Sequence, residues 1–434
     1  MQDHILRVIQ ADNPWLLNMS LLNEWVARYL PSEFIPRDTV LQPSEKVYLV
    51  VGPRQVGKST LIWKYLSTTQ KPFLYLNCEE MAVREWLTSP AIFLQDFHDF
   101  IDPLVPLFFE EIQRIPEAGL FLKGLVDRKP GMSIFATGSS SFDLEAETRE
   151  SLAGRASRHR LLPLSLAEIS KRINEKRPIL QNQYLEKEIE RMLCYGGYPT
   201  VVLSDKPELE LSGLVEAFII RDASDRFQVR LPGAFRKILE LASSQIGNLC
   251  NYSEWASLAG ISNDTVSEYV QILQDSHIIR LVRPFVGGKR AELTSMPKVF
   301  FIDHGIRNLI FGGFQPVAKR PDQGALWENF AFEEIYKNIH PMLDSIRFWR
   351  SKSGAEVDFV VEHQGRLAAC EVKAGDVRGK ISRSVRSFIE AYAPEVLFIV
   401  SSKSYDPLKI ENTEIRFIRF LELGGLIKDW VKKI

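Results

Sequence analysis

Residues 47–60 read Val47-Tyr48-Leu49-Val50-Val51-Gly52-Pro53-Arg54-Gln55-Val56-Gly57-Lys58-Ser59-Thr60. An apolar run, a turn bounded by two glycines and a Lys-Ser pair opening a helical pattern satisfy G-x-x-x-x-G-K-[ST] in its required strand-to-helix context. Backbone N–H groups of such a turn, at the positive end of a helix, cradle phosphates. Gly52, Pro53, Arg54, Gln55, Val56, Gly57, Lys58, Ser59 and Thr60 are therefore the expected ATP-binding stretch. Lys58 is assigned to the outer phosphates, and the Ser59 hydroxyl to Mg2+.

Working outward, apolar runs at Lys46–Val51, Phe73–Asn77, Leu104–Phe109, Ser133–Thr137 and His159–Leu162 alternate with helical patterns. That alternation predicts an α/β fold with a mostly parallel sheet. A P-loop needs a carboxylate at the end of a neighbouring strand, and Val105-Pro106-Leu107-Phe108-Phe109-Glu110-Glu111 supplies two, as a Walker B candidate. Glu110 is placed on the metal and Glu111 on the attacking water, where a general base belongs. The rival for this run is a strand followed by a solvated acidic turn. Ser139, after the strand at 133–137, stands where a hydroxyl senses the γ-phosphate, or simply closes a satisfied loop. A helix is expected at 142–151. Arg155, in Leu152-Ala153-Gly154-Arg155, is the candidate charge-stabilising finger acting across a subunit boundary, with Arg149 and Arg158 as competitors and an intrachain ion pair as the plain alternative.

These motifs together, Gly52–Ser59, Glu110-Glu111-Ile112-Gln113, Thr137-Gly138-Ser139-Ser140-Ser141 and Leu152–Arg155, resemble those of prokaryotic AAA+ ATPases. The resemblance implies ATP binding, ring-type oligomers and a chain that continues into a helical lid, a winged helix and a C-terminal domain of unknown function related to restriction endonucleases. Glu110, where aspartate is usual, is the clearest departure from that pattern.

The rest of the chain fits this order. Helical patterns at Leu166–Ile173, Tyr184–Leu193 and Leu211–Asp222 suit a lid. Phe235–Ser243, Ser253–Leu258, Ser262–Gln274 and the extended His277–Pro284, ahead of a turn at 287–290, follow the order of a winged helix-turn-helix. Its second helix carries Asp264, Glu268 and Asp275 without Lys or Arg, which suits protein contact or scaffolding as well as it suits DNA.

Near the C-terminus, Glu356-Val357-Asp358 and Cys370-Glu371-Val372-Lys373 lie on two strands joined by a turn at His363-Gln364-Gly365. Alternation puts Asp358, Glu371 and Lys373 within reach of one another. Two carboxylates can hold a divalent ion that polarises phosphate and water, with Lys373 stabilising charge. Glu328, an acid on the apolar stripe of a helix at 325–339, is the choice for a further metal ligand, ahead of Glu333 and Glu334. Arg347, Arg350, Lys352, Arg378, Lys380, Arg383 and Arg386 flank the site as a basic rim that holds a nucleic-acid backbone or is merely solvated. The arrangement looks like the PD-(D/E)XK nuclease core, which Asp358, Glu371 and Lys373 match. An inactive descendant used for binding is the rival.

Composition sets outer bounds. In 434 residues, 54 Lys+Arg face 55 Asp+Glu, a formal charge of -1, so polyanion binding has to be local. The four scattered cysteines form no C-x-x-C pair and speak against zinc and a disulfide framework. An acidic N-terminus and the lack of any apolar run near ~18 residues argue against export and membrane spanning, so a cytoplasmic location is expected. The expected layout is an N-terminal helical segment at 1–45, a P-loop ATPase core at 46–165, a helical lid at 166–235, a winged helix-turn-helix at 236–290 and a restriction-endonuclease-like α/β domain at 291–434. The expected protein is an ATP- and Mg2+-using homo-oligomer whose cycle drives a DNA-binding domain. Its rivals are a slow regulatory switch with a retired nuclease fold and, less favoured, a small-molecule kinase.

Overall fold

The structure, a computed structural model, describes residues 2–42, 44–100, 105–128, 131–138, 152–173, 175, 177–217, 229–285 and 296–433, without the side chains of 99 and 100. The helix expected at 142–151, Ser139, Arg149, residues 218–222 of the third lid helix and the turn at 287–290 lie outside them. The chain divides into two compact units, Met1–Leu162 and Pro163–Ile434.

The first unit is built on a five-stranded sheet in the order β2-β3-β4-β1-β5. The strands are β1 (Val47–Val51), β2 (Leu74–Asn77), β3 (Leu107–Glu110), β4 (Ile134–Gly138) and β5 (Ala156–Arg160). All neighbours pair in parallel. β1 is apolar at every position and wholly buried, as a parallel strand covered on both faces must be. β5 begins earlier than the apolar run at 159–162 suggests. Its residues Ala156-Ser157-Arg158-His159-Arg160 form a half-buried edge that, among the described residues, pairs only with β1, so its sequence carries little apolar signal. Parallel pairing delivers the C-terminal ends of β1, β3 and β4 to the same sheet edge, where the P-loop turn and Glu110 emerge. The N-terminal helices Asp3–Asp12 and Leu22–Tyr29 belong to this unit.

The second unit carries an eight-stranded sheet in the order β12-β13-β11-β10-β9-β8-β6-β7. Its strands are β6 (Ile279–Pro284), β7 (Lys298–Phe301), β8 (Asp344–Arg350), β9 (Glu356–His363), β10 (Arg366–Val372), β11 (Val396–Ser401), β12 (Tyr405–Ile410) and β13 (Thr413–Arg419). Helices Pro232–Ser244, Tyr252–Ala259 and Asn263–Asp275 precede the β6–β7 antiparallel ribbon. β6 then turns from β7 to pair in parallel with β8 through Arg283 and Pro284, so the ribbon is the beginning of the C-terminal sheet. β12 and β13 are additional to the strands read from sequence. β12 is a polar, exposed edge interrupted by Pro407, which conceals it from a pattern search.

The lid helices Leu166–Ser170, Pro178–Tyr195, Pro199–Leu203 and Pro207–Ala217 belong to the second unit. Buried polar side chains tie them there. Asn308 Nδ2 donates to the carbonyls of Leu193 and Cys194 at 2.8 and 2.9 Å, and Asp303 accepts from Gly197 N–H at 2.7 Å. Glu334 accepts from Leu166 N–H at 3.1 Å, and the Lys337 ammonium donates to the Leu164 carbonyl at 3.2 Å. Glu333, beside them, binds His304 at 2.5 Å and Lys337 at 3.0 Å. The weaker metal candidates Glu333 and Glu334 are thus members of this structural network. All four cysteines are free, and no helix among the described residues is long and apolar enough to cross a membrane.

Candidate functional site

The P-loop turn runs from the central strand β1 into helix Lys58–Thr69. Gly57, the residue before the helix, has φ 92°, and Gln55 has φ 58°; left-handed backbone of this kind is what lets a turn gather successive N–H groups into an anion-binding concavity. At Gly52 the constraint is space: a Cβ would stand 1.9 Å from the Leu161 carbonyl oxygen. The buried Lys58 ammonium donates to the carbonyls of Gly52 at 3.2 Å and Pro53 at 2.8 Å, so it is held over the turn that Arg54 to Thr60 complete.

Glu110 ends β3, and its Oε2 accepts a hydrogen bond from the Tyr75 hydroxyl on β2. Glu111 follows with φ 53°. Its N–H donates to Thr137 Oγ1 at 3.1 Å, and its Oε2 accepts from the Gln113 amide at 2.7 Å. The two acids therefore have separate supports. Tyr75 was not singled out by sequence reading, and Thr137 and Gln113 were quoted within motifs but given no role; only the pairing of β2, β3 and β4 brings Tyr75 and Thr137 to the two acids, whereas Gln113 lies two residues beyond Glu111. Arg155 forms an intrachain ion pair with Asp127 at 2.5 Å, the alternative its sequence context left open. No residue described shows where a γ-phosphate sensor sits, since Ser139 is outside them.

The second candidate site is a cluster of charged side chains from four elements. Lys298 begins β7, Glu328 lies on helix Gln323–Asn338, Glu356 and Asp358 on β9, and Glu371 on β10, with Lys373 just after it. The Lys298 ammonium is buried and bonds Glu328 Oε1 at 3.0 Å and Glu356 Oε1 at 2.5 Å. Lys373 pairs with Glu371 Oε1 at 2.7 Å, while Asp358 Oδ2 accepts from Val372 N–H at 2.7 Å.

Burial, together with the charge of Asp358, pushes the carboxyls of both Glu328 and Glu371 up to about 7, against the pull of Lys298 and Lys373 respectively. Burial also raises Asp358, while the Val372 N–H opposes it. For Lys298, Glu328 and Glu356 outweigh burial and hold its ammonium above the usual lysine value. The sequence-predicted Asp358, Glu371, Lys373 and Glu328 are thus brought into one electrostatic group. Glu328, expected as a metal ligand, bonds Lys298 through Oε1. Among the described residues, no group of three or more His, Cys, Asp or Glu is arranged to hold a metal ion.

Lys298 was missed because it precedes the helix and both strands in the chain and meets the acids only through the β6–β7 ribbon. Beside the cluster is a cavity of about 430 Å³ whose lining includes Glu371, Lys373, Lys380, Ser382, Val385 and Ile399. Of the expected basic rim, Arg347 pairs with Glu362 at 3.1 Å and Arg350 with Glu356 at 3.7 Å, whereas Lys352, Arg378, Lys380, Arg383 and Arg386 are exposed.

Residues 44–170 match an AAA domain family, and residues 186–316 and 323–420 match two domains of unknown function, DUF8612 and DUF4143. The chain is 28% identical over 348 residues to an uncharacterized protein of Mycobacterium tuberculosis, covering 79% of this chain and 73% of that one. An uncharacterized protein of Haemophilus influenzae is 23% identical over 397 residues, covering 86% and 93%. Among solved structures, a Walker-type ATPase of Pyrococcus abyssi aligns with TM-score 0.38 at 15% identity, covering 61% of this chain and 90% of that one. With its AAA domain match over residues 44–170 and a complete P-loop in that span, the chain carries an AAA+ ATPase-like P-loop core and is an ATP-hydrolysing enzyme.

Proposed function

We propose that ATP hydrolysis in this protein drives a DNA-binding C-terminal domain with a restriction-endonuclease-like site. The single observation carrying this reading is the convergence of Asp358, Glu371 and Lys373 at the β9–β10 hairpin, beside a cavity of about 430 Å³ lined by Lys373 and Lys380. In the nucleotide site the P-loop N–H groups hold the phosphates and the Lys58 ammonium turns from the carbonyls of Gly52 and Pro53 to the outer phosphates. Mg2+, when bound, neutralises charge developing on the transferred phosphoryl group. The residues fit it: Ser59 offers a hydroxyl, and Glu110 keeps Oε1, which accepts no hydrogen bond among the described residues. Glu111, oriented by Thr137 and Gln113, takes the proton of the attacking water. Ser139 senses the γ-phosphate, and Arg155 serves a neighbouring subunit once its pair with Asp127 opens. The lid helices and the acid cluster share one unit.

At the C-terminal site, Glu371 Oε2 is buried without a hydrogen-bond partner among the described residues, and with Asp358 it is the oxygen that suits a divalent cation. Such an ion, when bound, polarises a phosphodiester. Lys373 then stabilises the charge that develops, and Lys380, Arg383 and Arg386 hold the backbone of the nucleic acid. The exposed recognition-helix surface of the winged-helix-like segment, acidic as it is, contributes contacts other than phosphate binding.

A second reading is favoured by one observation. Lys298 already neutralises Glu328 and Glu356, as befits a retired site serving as a binding platform. Metal-dependent cleavage of linear, single-stranded and branched DNA, with and without ATP, separates the two. Cleavage lost in Asp358→Ala and in Lys373→Ala establishes the nuclease; intact ATP turnover with no cleavage on any substrate establishes the platform. Within the ATPase, Glu111→Gln should retain ATP and slow turnover by about a hundredfold or more, the range of a general base. Normal turnover in that variant removes Glu111 from the role.

A further inference from the structure

We propose that Tyr75 is a positioning residue for Glu110, and that the N-terminal segment sets the position of Tyr75 through Asn13. The inference rests on the reading of Glu110 as the acid on the metal side of the nucleotide site.

Among the described residues β2 is an edge strand of the first sheet, paired only with β3. An open edge leaves backbone N–H and C=O groups without partners. Here the buried Asn13 side chain supplies both at once. Its Oδ1 accepts from Tyr75 N–H at 2.7 Å and its Nδ2 donates to the Tyr75 carbonyl at 2.9 Å. Two residues along, the buried Trp15 Nε1 donates to the Phe73 carbonyl at 2.7 Å. The segment after helix Asp3–Asp12 therefore stands in for a missing neighbouring strand, centred on Tyr75.

The Tyr75 ring is held as firmly as its backbone. It packs against Trp63 of the P-loop helix at 4.8 Å between centroids, Phe108 of β3 at 5.5 Å and Tyr29 at 5.7 Å. Its hydroxyl then has one place to go. Tyr75 pairs in register with Phe108, and Asn77 with Glu110, so the tyrosine reaches diagonally along one sheet face to Glu110 Oε2. A phenol facing a carboxylate oxygen is the donor of the pair.

The chemistry explains the arrangement. Glutamate at this position has one more rotatable bond than the usual aspartate, and its carboxylate spreads over more positions. A fixed donor on Oε2 removes that freedom and leaves Oε1 for the cation. Tyr75 touches neither nucleotide nor metal in this scheme.

The test is the Mg2+ concentration needed for half-maximal binding of a fluorescent ATP analogue by the full chain, in a Glu111→Gln background so that turnover does not intrude. Tyr75→Phe keeps the ring and should raise that concentration about tenfold, the worth of a hydrogen bond to a charged group, with affinity for the analogue in EDTA unchanged. Asn13→Ala should shift it in the same direction, and add nothing in a Tyr75→Phe protein. In a Glu110→Ala background, itself shifted, Tyr75→Phe should have no further effect. An unshifted Tyr75→Phe, or one that shifts equally without Glu110, overturns the proposal. A Glu110→Ala protein with an unchanged Mg2+ requirement overturns the reading of Glu110, and this inference with it.

Discussion

The P-loop and the C-terminal charge cluster are built in opposite ways. The first is a backbone site from one continuous stretch, in which residues 52–60 supply the turn, the lysine and the hydroxyls between a strand and a helix. The second is a side-chain site drawn from Lys298, Glu328, Glu356, Asp358, Glu371 and Lys373, on a ribbon strand, a helix and a hairpin. A backbone site tolerates change wherever glycine geometry and the lysine persist. A side-chain cluster of this kind is a balance of charges, in which removing one partner leaves the others uncompensated in a poorly hydrated place.

The largest effect that sharpens this contrast is expected at Lys58. Lys58→Ala should weaken ATP binding by about a hundredfold or more, because charge-assisted contacts to phosphate are lost. Thermal stability without nucleotide should fall far less, since the contacts of the ammonium there include neutral carbonyls of its own turn, those of Gly52 and Pro53. Calorimetric titration with ATP and a thermal melt read the two separately. A nucleotide affinity close to wild type would erase the distinction between the regions.

Lys298→Met should behave in the opposite sense, leaving ATP affinity in place and destabilising the second unit by about 3–5 kcal/mol, the cost of breaking a buried pair. Lys373→Met, whose side chain is 48% exposed, should cost less than Lys298→Met, though the Glu371 it leaves behind is buried. Urea midpoints of the two variants provide the comparison. Adding Glu328→Gln to Lys298→Met should recover part of the loss; a further loss would show that Glu328 is held by something other than the lysine.

The smallest effect is a pH dependence of the second unit, away from the acid cluster. Burial lifts Glu334 to about 7, against Lys337 and the Leu166 N–H and with Glu333 and Glu168 adding to the rise. Burial and Glu333 lift Asp303 to about 6, against the N–H groups of Gly197 and Ile306 and the charge of Lys337. His304 joins the same network through Glu333. A carboxyl raised on folding binds its proton more tightly in the folded state, so its contribution is full below the unfolded value and is lost as pH rises through the folded one. Stability of this unit should therefore decline between about pH 5 and 7, with Glu328 and Glu371 of the acid cluster adding to it in the same window, and Glu334→Gln should lessen the decline. Denaturation midpoints across that window check it; a slope unchanged in the variant assigns the dependence elsewhere.

The two regions also differ in how much a reader of the sequence can see. Glu111 was placed correctly after a strand because Leu107–Phe109 is an apolar run, but its partner Thr137 belongs to β4 and becomes visible only with the pairing order. Asp358, Glu371 and Lys373 were found from alternation along two adjacent strands, a local rule. Glu328 was found from an acid on an apolar helical stripe, a signal that something charged must face it; the stripe did not say whether that partner was a metal or Lys298. β12 was invisible because an exposed edge has no apolar periodicity to read.

Residue order was enough for the strand, turn and helix of the nucleotide site, since each of these forms from hydrogen bonds and apolar periodicity within a few residues. The neighbours of Glu110 and Glu328 required the folded chain. Tyr75 reaches Glu110 because two strands pair in parallel, and Lys298 reaches Glu328 because a ribbon is continuous with a distant sheet. Electrostatic energy falls with distance in space and is indifferent to distance along the chain, so the charge state of a buried carboxylate is a property of packing.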